Sequence, residues 1–130
     1  MFEAPFVTTS IFRIDWLHCA DQGCAADYLG NILLLCAGKL PGNNLKAKCL
    51  VLWGKVQEFY KEESVQDRLQ NLTLTMLKQP KKAPKLRASA AQCRALVPFA
   101  HKLSQELLST ASPIEGTAKQ GMFHLCECYK

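Results

Sequence analysis

The spacing of apolar side chains predicts one short strand followed by several helices. Residues 7–14 are rich in β-branched and aromatic side chains and follow Pro5, which predicts a buried β-strand. Apolar residues then recur every three or four positions over residues 24–39, so a helix is expected there. Because that helix is apolar on almost every side, we expect it to be deeply buried.

A second amphipathic helix is predicted at about residues 45–63. It follows a turn signal at residues 41–44, and Asn44 is placed to cap it. A short helix is expected from Ser64, where the spacing resembles a capping box with Asp67 in the last position. Residues 71–77 alternate like a strand but continue an apolar helical pattern, and the helix is favoured.

The C-terminal third predicts one interrupted helix and a polar loop. Ser89 is placed to cap a helix that runs to about Val97, where Pro98 ends or kinks it, and the helical period resumes over residues 99–109. Residues 110–121 are polar and contain one proline and two glycines, which predicts a loop. The tail at residues 122–129 is expected to be a short strand or helix.

These patterns predict a mainly α fold, a single helical domain over residues 1–130 with one short N-terminal strand. It divides into a strand–turn–helix block (1–40), a helical region (41–110), and a loop and tail (111–130). A chain of 130 residues with 48% hydrophobic content can bury a core and is not generally disordered. No run approaches the roughly 18 apolar residues of a membrane span, and the N-terminus lacks the basic region of a signal peptide. We therefore expect no membrane partner and an intracellular location, either nuclear or cytoplasmic.

The seven cysteines fit a reducing compartment. Their number is odd and several lie within apolar helical stripes, so reduced, buried thiols are predicted. Two groups have some resemblance to zinc ligands, around His18 with Cys24 and over residues 124–128. Neither has the two spaced ligand pairs of a zinc module, so structural zinc is not expected.

Positive charge is concentrated in one segment, residues 78–87. The formal net charge is +5, and the rest of the chain carries 11 basic and 11 acidic residues, so this segment holds the whole surplus. Two prolines oppose a helix there and favour an extended chain that suits a phosphate backbone. A solvated loop is the alternative, because no aromatic side chain in the segment could stack on bases. The candidate nucleic-acid-binding residues are Lys78, Lys81, Lys82, Lys85 and Arg87.

Asp15 and His18 form the one candidate catalytic site. An acid at the end of a predicted buried strand, with a histidine three residues later, can present a carboxylate to a metal ion. Asp15 is the candidate metal ligand. In the structural alternative, Asp15 caps the turn that leads into the first helix and His18 bonds locally.

Asp15-Trp16-Leu17-His18 resembles the D-x-x-H block of eukaryotic cut-and-paste DNA transposases of the CACTA- and Plavaka-like branches. The resemblance covers about residues 7–37, and Gln22 departs from the Leu that usually follows the block. It implies an RNase H-like α/β core with a helical insertion, in which carboxylates hold Mg²⁺ or Mn²⁺ for strand cleavage. Under this resemblance, Asp15 would bind metal and His18 would orient the carboxylate or contact the scissile phosphate.

The chain departs from that family in its acids. Only one strand precedes Asp15, and the family carries a first acid on an earlier strand. The candidates for the final glutamate, Glu58, Glu62, Glu106 and Glu115, lack a distinguishing motif. We therefore expect a transposase-derived fragment that is catalytically incomplete and retains nucleic-acid affinity. The alternative is a helical protein–protein interaction module or a small subunit of a larger assembly.

Overall fold

Five helices make up the part of the chain, residues 23–129, that this computed structural model describes. They are α1 (Ala25–Ala37), α2 (Leu45–Glu62), α3 (Leu74–Leu77), α4 (Ala90–Leu107) and α5 (Pro113–Cys128). The predicted mainly α class is confirmed, and residues 23–129 contain no strand. The strand predicted at residues 7–14 lies outside the described residues. Within the described range, no helix has both the length and the apolar character needed to cross a membrane.

Helix α1 lies at the centre of the bundle and contacts each of the other four helices. Eight of its 13 residues are buried, including Ala26, Leu29, Leu33 and Cys36. This arrangement confirms the prediction of a deeply buried first helix. Because α1 contacts every other element, a change in its surface affects the packing of the whole domain.

Helix α2 begins where the sequence predicts. The Asn44 side chain accepts a hydrogen bond from the Ala47 N–H at 2.8 Å, which satisfies a backbone donor that the first helical turn leaves free. Cys49, Leu52 and Val56 face the core. Other residues of the helix, including Lys46, Trp53 and Lys55, line depressions on the surface.

The expected helix at residues 64–67 is absent, and this prediction is wrong. Ser64 adopts a left-handed backbone with φ of 50°, which ends the helical path. Arg68 then folds back and donates to the carbonyls of Val65 (2.5 Å) and Tyr60 (3.1 Å). The Tyr60 carbonyl in the last turn of α2 therefore accepts from the Arg68 side chain as well as from the Val65 N–H, and the chain continues in irregular form. The ambiguous stretch at residues 71–77 is helical only at Leu74–Leu77.

Helix α4 runs without a break through Pro98. A capping box starts it, in which the Ser89 hydroxyl accepts from the Gln92 N–H and the Gln92 side chain accepts from the Ser89 N–H. Pro98 removes one backbone donor, but Val97 and Phe99 beside it are buried in the core. Burial on both sides of the proline holds the helix together, so Pro98 does not end it.

Residues 113–128 form helix α5, so the prediction of a loop over residues 110–121 is largely wrong. Pro113 occupies the first helical turn, where its missing N–H removes no hydrogen bond. Gly121 provides close contact, because a Cβ there would overlap the Tyr28 hydroxyl. That hydroxyl donates to the Ala118 carbonyl at 2.9 Å, which ties α5 to α1. The glycine that suggested a loop therefore serves helix packing.

Candidate nucleic-acid interface

The basic segment forms a loop whose two ends meet. We call residues 78–87 the basic loop. Its tip is a tight turn in which Lys81 has a φ of 61° and the Lys82 N–H donates to the Gln79 carbonyl at 3.2 Å. At its base the Lys85 N–H donates to the Leu77 carbonyl at 2.8 Å. The prolines exclude a helix as predicted, but the turn makes the segment a returning loop and not one long extended strand.

Backbone contacts fix the basic loop on α1. The Leu86 N–H donates to the Ala26 carbonyl at 2.9 Å, and the Leu86 side chain is fully buried in the core. Gly30 of α1 lies directly under the Lys85 backbone, and a Cβ at position 30 would overlap it. The loop is therefore held in a defined position by the helix, and its exposed tip is presented at a fixed site.

The five cations of the basic loop have different surroundings. Lys81 and Lys82 are exposed at the tip. The Lys78 ammonium bonds back to the carbonyls of Gln79, at 3.3 Å, and Lys82. Two of the five predicted binding residues are thus fully presented to solvent.

The remaining two cations, Lys85 and Arg87, are partly buried. The Lys85 ammonium is 4.0 Å from the Asp27 carboxylate of α1, and both side chains are partly exposed. Arg87 is half-buried, and its Nε is buried without a hydrogen-bond partner. The role of Asp27 was not apparent from the sequence, because an acid 58 positions before Lys85 gives no local signal of their proximity.

The acids expected to complete a metal site do not converge in the described part of the chain. Glu58, Glu62 and Glu106 border one groove between α2 and α4, together with Lys55 and Lys102. No group of three possible ligands within residues 23–129 could hold a metal ion. Glu115 forms an ion pair with Lys39 at 3.0 Å, and that contact lowers the pKa of its carboxyl group. The described residues do not fit an Mg²⁺ or Mn²⁺ centre, and Asp15 and His18 lie outside them.

The cysteines of the described range form no disulfide with one another. The structure buries Cys36, Cys49, Cys93 and Cys126 and exposes Cys24 and Cys128. Burial, followed by the charge of Glu115, raises the pKa of the Cys36 thiol to about 12. A protonated thiol such as that of Cys36 is a poor metal ligand, and His124, Cys126 and Cys128 belong to no group in the described range that could hold a metal ion.

Comparison with known proteins does not place this chain in a family. No protein-family model, curated protein or solved structure matches it. Any function of this chain has therefore to be inferred from its residues and their geometry.

Proposed function

We propose that this domain binds nucleic acid without sequence preference through the basic loop, and that it derives from a cut-and-paste transposase. The observation that carries the binding proposal is the exposed pair Lys81 and Lys82 at the tip of a loop fixed on α1. Because backbone contacts already hold the base of the loop, its two exposed lysines can contact phosphates with less loss of backbone conformational entropy on binding.

The chemistry of the loop explains why sequence preference is not expected. Lysine ammonium groups contact phosphates, which orient a protein on nucleic acid but carry no base information. Residues 78–87 contain no aromatic side chain that could stack on a base. Binding through this loop alone should therefore follow charge and salt concentration.

The transposase origin is supported by the Asp15-Trp16-Leu17-His18 block alone. A remnant of such a protein would retain affinity for its former substrate after losing the carboxylates that hold metal. We propose that this chain is in that state, with DNA affinity and no strand cleavage of its own.

The test is the salt dependence of binding to a labelled DNA duplex. Lys81→Gln with Lys82→Gln should weaken binding and reduce the slope of log K against log salt by about 2. Lys55→Gln with Lys119→Gln removes the same charge from other surfaces, so it is the matched control. That control should change the slope by well under 1.

Two results would contradict the proposal. One is a wild-type protein with no measurable affinity for duplex at about 50 mM salt, where phosphate contacts are strong. The other is equal loss of affinity in the loop variant and in the control, because total charge and not the loop would then determine binding.

A helical protein–protein interaction module is the second candidate. It is favoured by Ile114 on α5, which is 76% exposed although it is a large apolar side chain. Sedimentation at increasing concentration tests the simplest form, association between copies of this chain. Association that Ile114→Asp abolishes would favour this candidate, and a wild-type protein that stays monomeric would count against it.

A further inference from the structure

Helix α2 separates two grooves of different charge composition. The groove on the side of α4 is bordered by three glutamates and two lysines. On the opposite side two separate depressions lie between α2 and residues 68–75, and none of the described residues that line them is acidic. Their α2 residues recur every three or four positions and so share one face of the helix, and we call the two depressions together the α2 trough. Its positive charge comes from Lys46, Lys61 and Arg68.

The trough has two adjoining stretches with antiparallel walls. Residues 68–70 face the C-terminal half of α2, at Trp53, Gln57 and Lys61. Residues 72–75 face its N-terminal half, at Lys46 and Leu50. Lys46 and Lys61 therefore stand near the two ends of the trough, about 22 Å apart along the helix axis.

Trp53 stands near the middle of the trough and is only half-buried. Tyr60 supports it edge-on, with ring centroids 6.4 Å apart and planes at 80°. Tyr60 is itself fixed, since its hydroxyl accepts from the Leu69 N–H at 3.1 Å and the Arg68 guanidinium lies over its ring at 5.7 Å. Among the described residues, no ring stacks parallel on Trp53. The indole is therefore supported by Tyr60, partly exposed, and not stacked on another ring of the described residues.

The polar neighbours of Trp53 suit the other parts of a nucleotide. Gln57 and Gln70 line the same stretch and carry amide groups that can donate to and accept from base edges. Lys61 lies one helical turn beyond Gln57 and can reach a phosphate. Leu50 is 65% exposed in the adjoining stretch, where it offers an apolar surface to a neighbouring base.

We propose that the α2 trough binds single-stranded nucleic acid, with an unpaired base stacked on Trp53 and the flanking phosphates near Lys46 and Lys61. The bases of a duplex are stacked on one another, so only unpaired nucleotides can stack on Trp53. This inference rests on the proposed nucleic-acid binding and adds to it a preference for single strands. The basic loop supplies charge that any polyanion can use, whereas the trough distinguishes strand types.

The experiment measures binding of full-length protein to labelled oligothymidylate and to a duplex of equal length. Trp53→Ala should weaken single-strand binding by about 5- to 100-fold and leave duplex binding unchanged. Trp53→Phe should recover most of the affinity because it keeps an aromatic face. In a Trp16→Phe background, Trp53 is the remaining tryptophan of the chain, and its fluorescence should be quenched as oligothymidylate binds.

Exposed residues provide a test that does not depend on the folding of Trp53→Ala. Lys61→Gln should weaken single-strand binding, and Lys55→Gln on the opposite groove is its matched control. The inference is overturned if oligothymidylate binds without quenching Trp53, or if Lys61→Gln and Lys55→Gln have equal effects.

The two proposals fail in different ways. Loss of duplex binding in Lys81→Gln with Lys82→Gln, combined with unchanged Trp53 fluorescence on adding oligothymidylate, would support the basic loop and overturn the trough. Quenching of Trp53 by oligothymidylate in a protein with no duplex affinity would support the trough and overturn the loop as the binding site.

Discussion

At the scale of single residues, burial changes the acid–base chemistry of two cysteine thiols, Cys36 and Cys49. Cys36 is completely buried on α1, within the packed core. Removing a thiolate from water is unfavourable, so the folded chain holds Cys36 in its protonated form. Burial also raises the pKa of the Cys49 thiol on α2. Both side chains therefore act as small apolar groups and not as nucleophiles.

Cys36 should make the domain less stable at alkaline pH. Its pKa rises from 9.0 to about 12 on folding, so its contribution to stability is complete below 9.0 and is lost as the pH rises toward 12. The loss from this one group has a slope of at most about 1.4 kcal/mol per pH unit. Urea unfolding at about pH 8 and about pH 10 should show a smaller decrease in Cys36→Ala than in wild type.

The cavity that Cys36→Ala leaves in the core lowers stability at every pH, whereas the titration of Cys36 changes the slope of the free energy of unfolding against pH. Comparing these slopes therefore separates the two effects. Cys128→Ala removes an exposed thiol and should retain the wild-type slope. If Cys36→Ala loses stability with pH as steeply as wild type does, the alkaline sensitivity arises from other groups.

At the scale of elements, the basic loop depends on one helical position. Gly30 lets the Lys85 backbone lie directly against α1, and the hydrogen bond from Leu86 to Ala26 forms beside it. A glycine within a helix is unfavourable by about 1 kcal/mol relative to alanine. Its presence at position 30 is explained by this close contact between the helix and the loop.

Two glycine substitutions should therefore have opposite effects on stability. Gly30→Ala should destabilise the domain by about 1–3 kcal/mol, because its Cβ overlaps the Lys85 backbone and displaces the loop. Gly54→Ala on α2 meets nothing within 4 Å and should stabilise the domain by about 0.5–1 kcal/mol. Chemical denaturation of both variants measures the difference.

The same pair tests whether nucleic-acid binding needs a fixed loop. Gly30→Ala should weaken duplex binding, and Gly54→Ala should leave it unchanged. Stabilisation by both substitutions would show that the loop is not seated on α1 as described.

At the scale of the whole molecule, charge and acids are distributed without forming a metal centre in the described range. The excess of positive charge is gathered in the basic loop and partly met by Asp27. The three glutamates that border the α2–α4 groove share it with two lysines, and the Lys102 ammonium lies 4.0 Å from the Glu62 carboxylate. Carboxylates arranged in this way act as surface charges.

We predict that the protein does not cleave DNA by itself. Supercoiled plasmid incubated with the protein and Mg²⁺ or Mn²⁺ should stay supercoiled, since the described acids do not form the multi-carboxylate site that two-metal cleavage requires. A nuclease of the two-metal class serves as the positive control. Cleavage by wild type that Asp15→Ala abolishes would show that Asp15 belongs to a complete site.

Local signals in the sequence were sufficient to predict three helices. The apolar stripes and the capping residues Asn44 and Ser89 predicted α1, α2 and the start of α4, because hydrophobic spacing and capping bonds depend on neighbours within a few positions. The concentration of charge in residues 78–87 was equally plain. The predicted strand and the Asp15–His18 site lie outside the described residues, and both stay predictions.

Only the tertiary structure decided the features that depend on distant contacts. The proline and the two glycines of residues 110–121 predicted a loop where α5 forms, because the sequence does not show that Gly121 packs against Tyr28. The sequence also does not show that Asp27 lies near Lys85. Nor does it show that Trp53 lines a trough with no acid among its described residues. The sequence by itself determined where helices begin and where charge collects. Folding determined which cations are exposed and leaves the Trp53 side chain partly exposed, because exposure depends on contacts with residues far away in the chain.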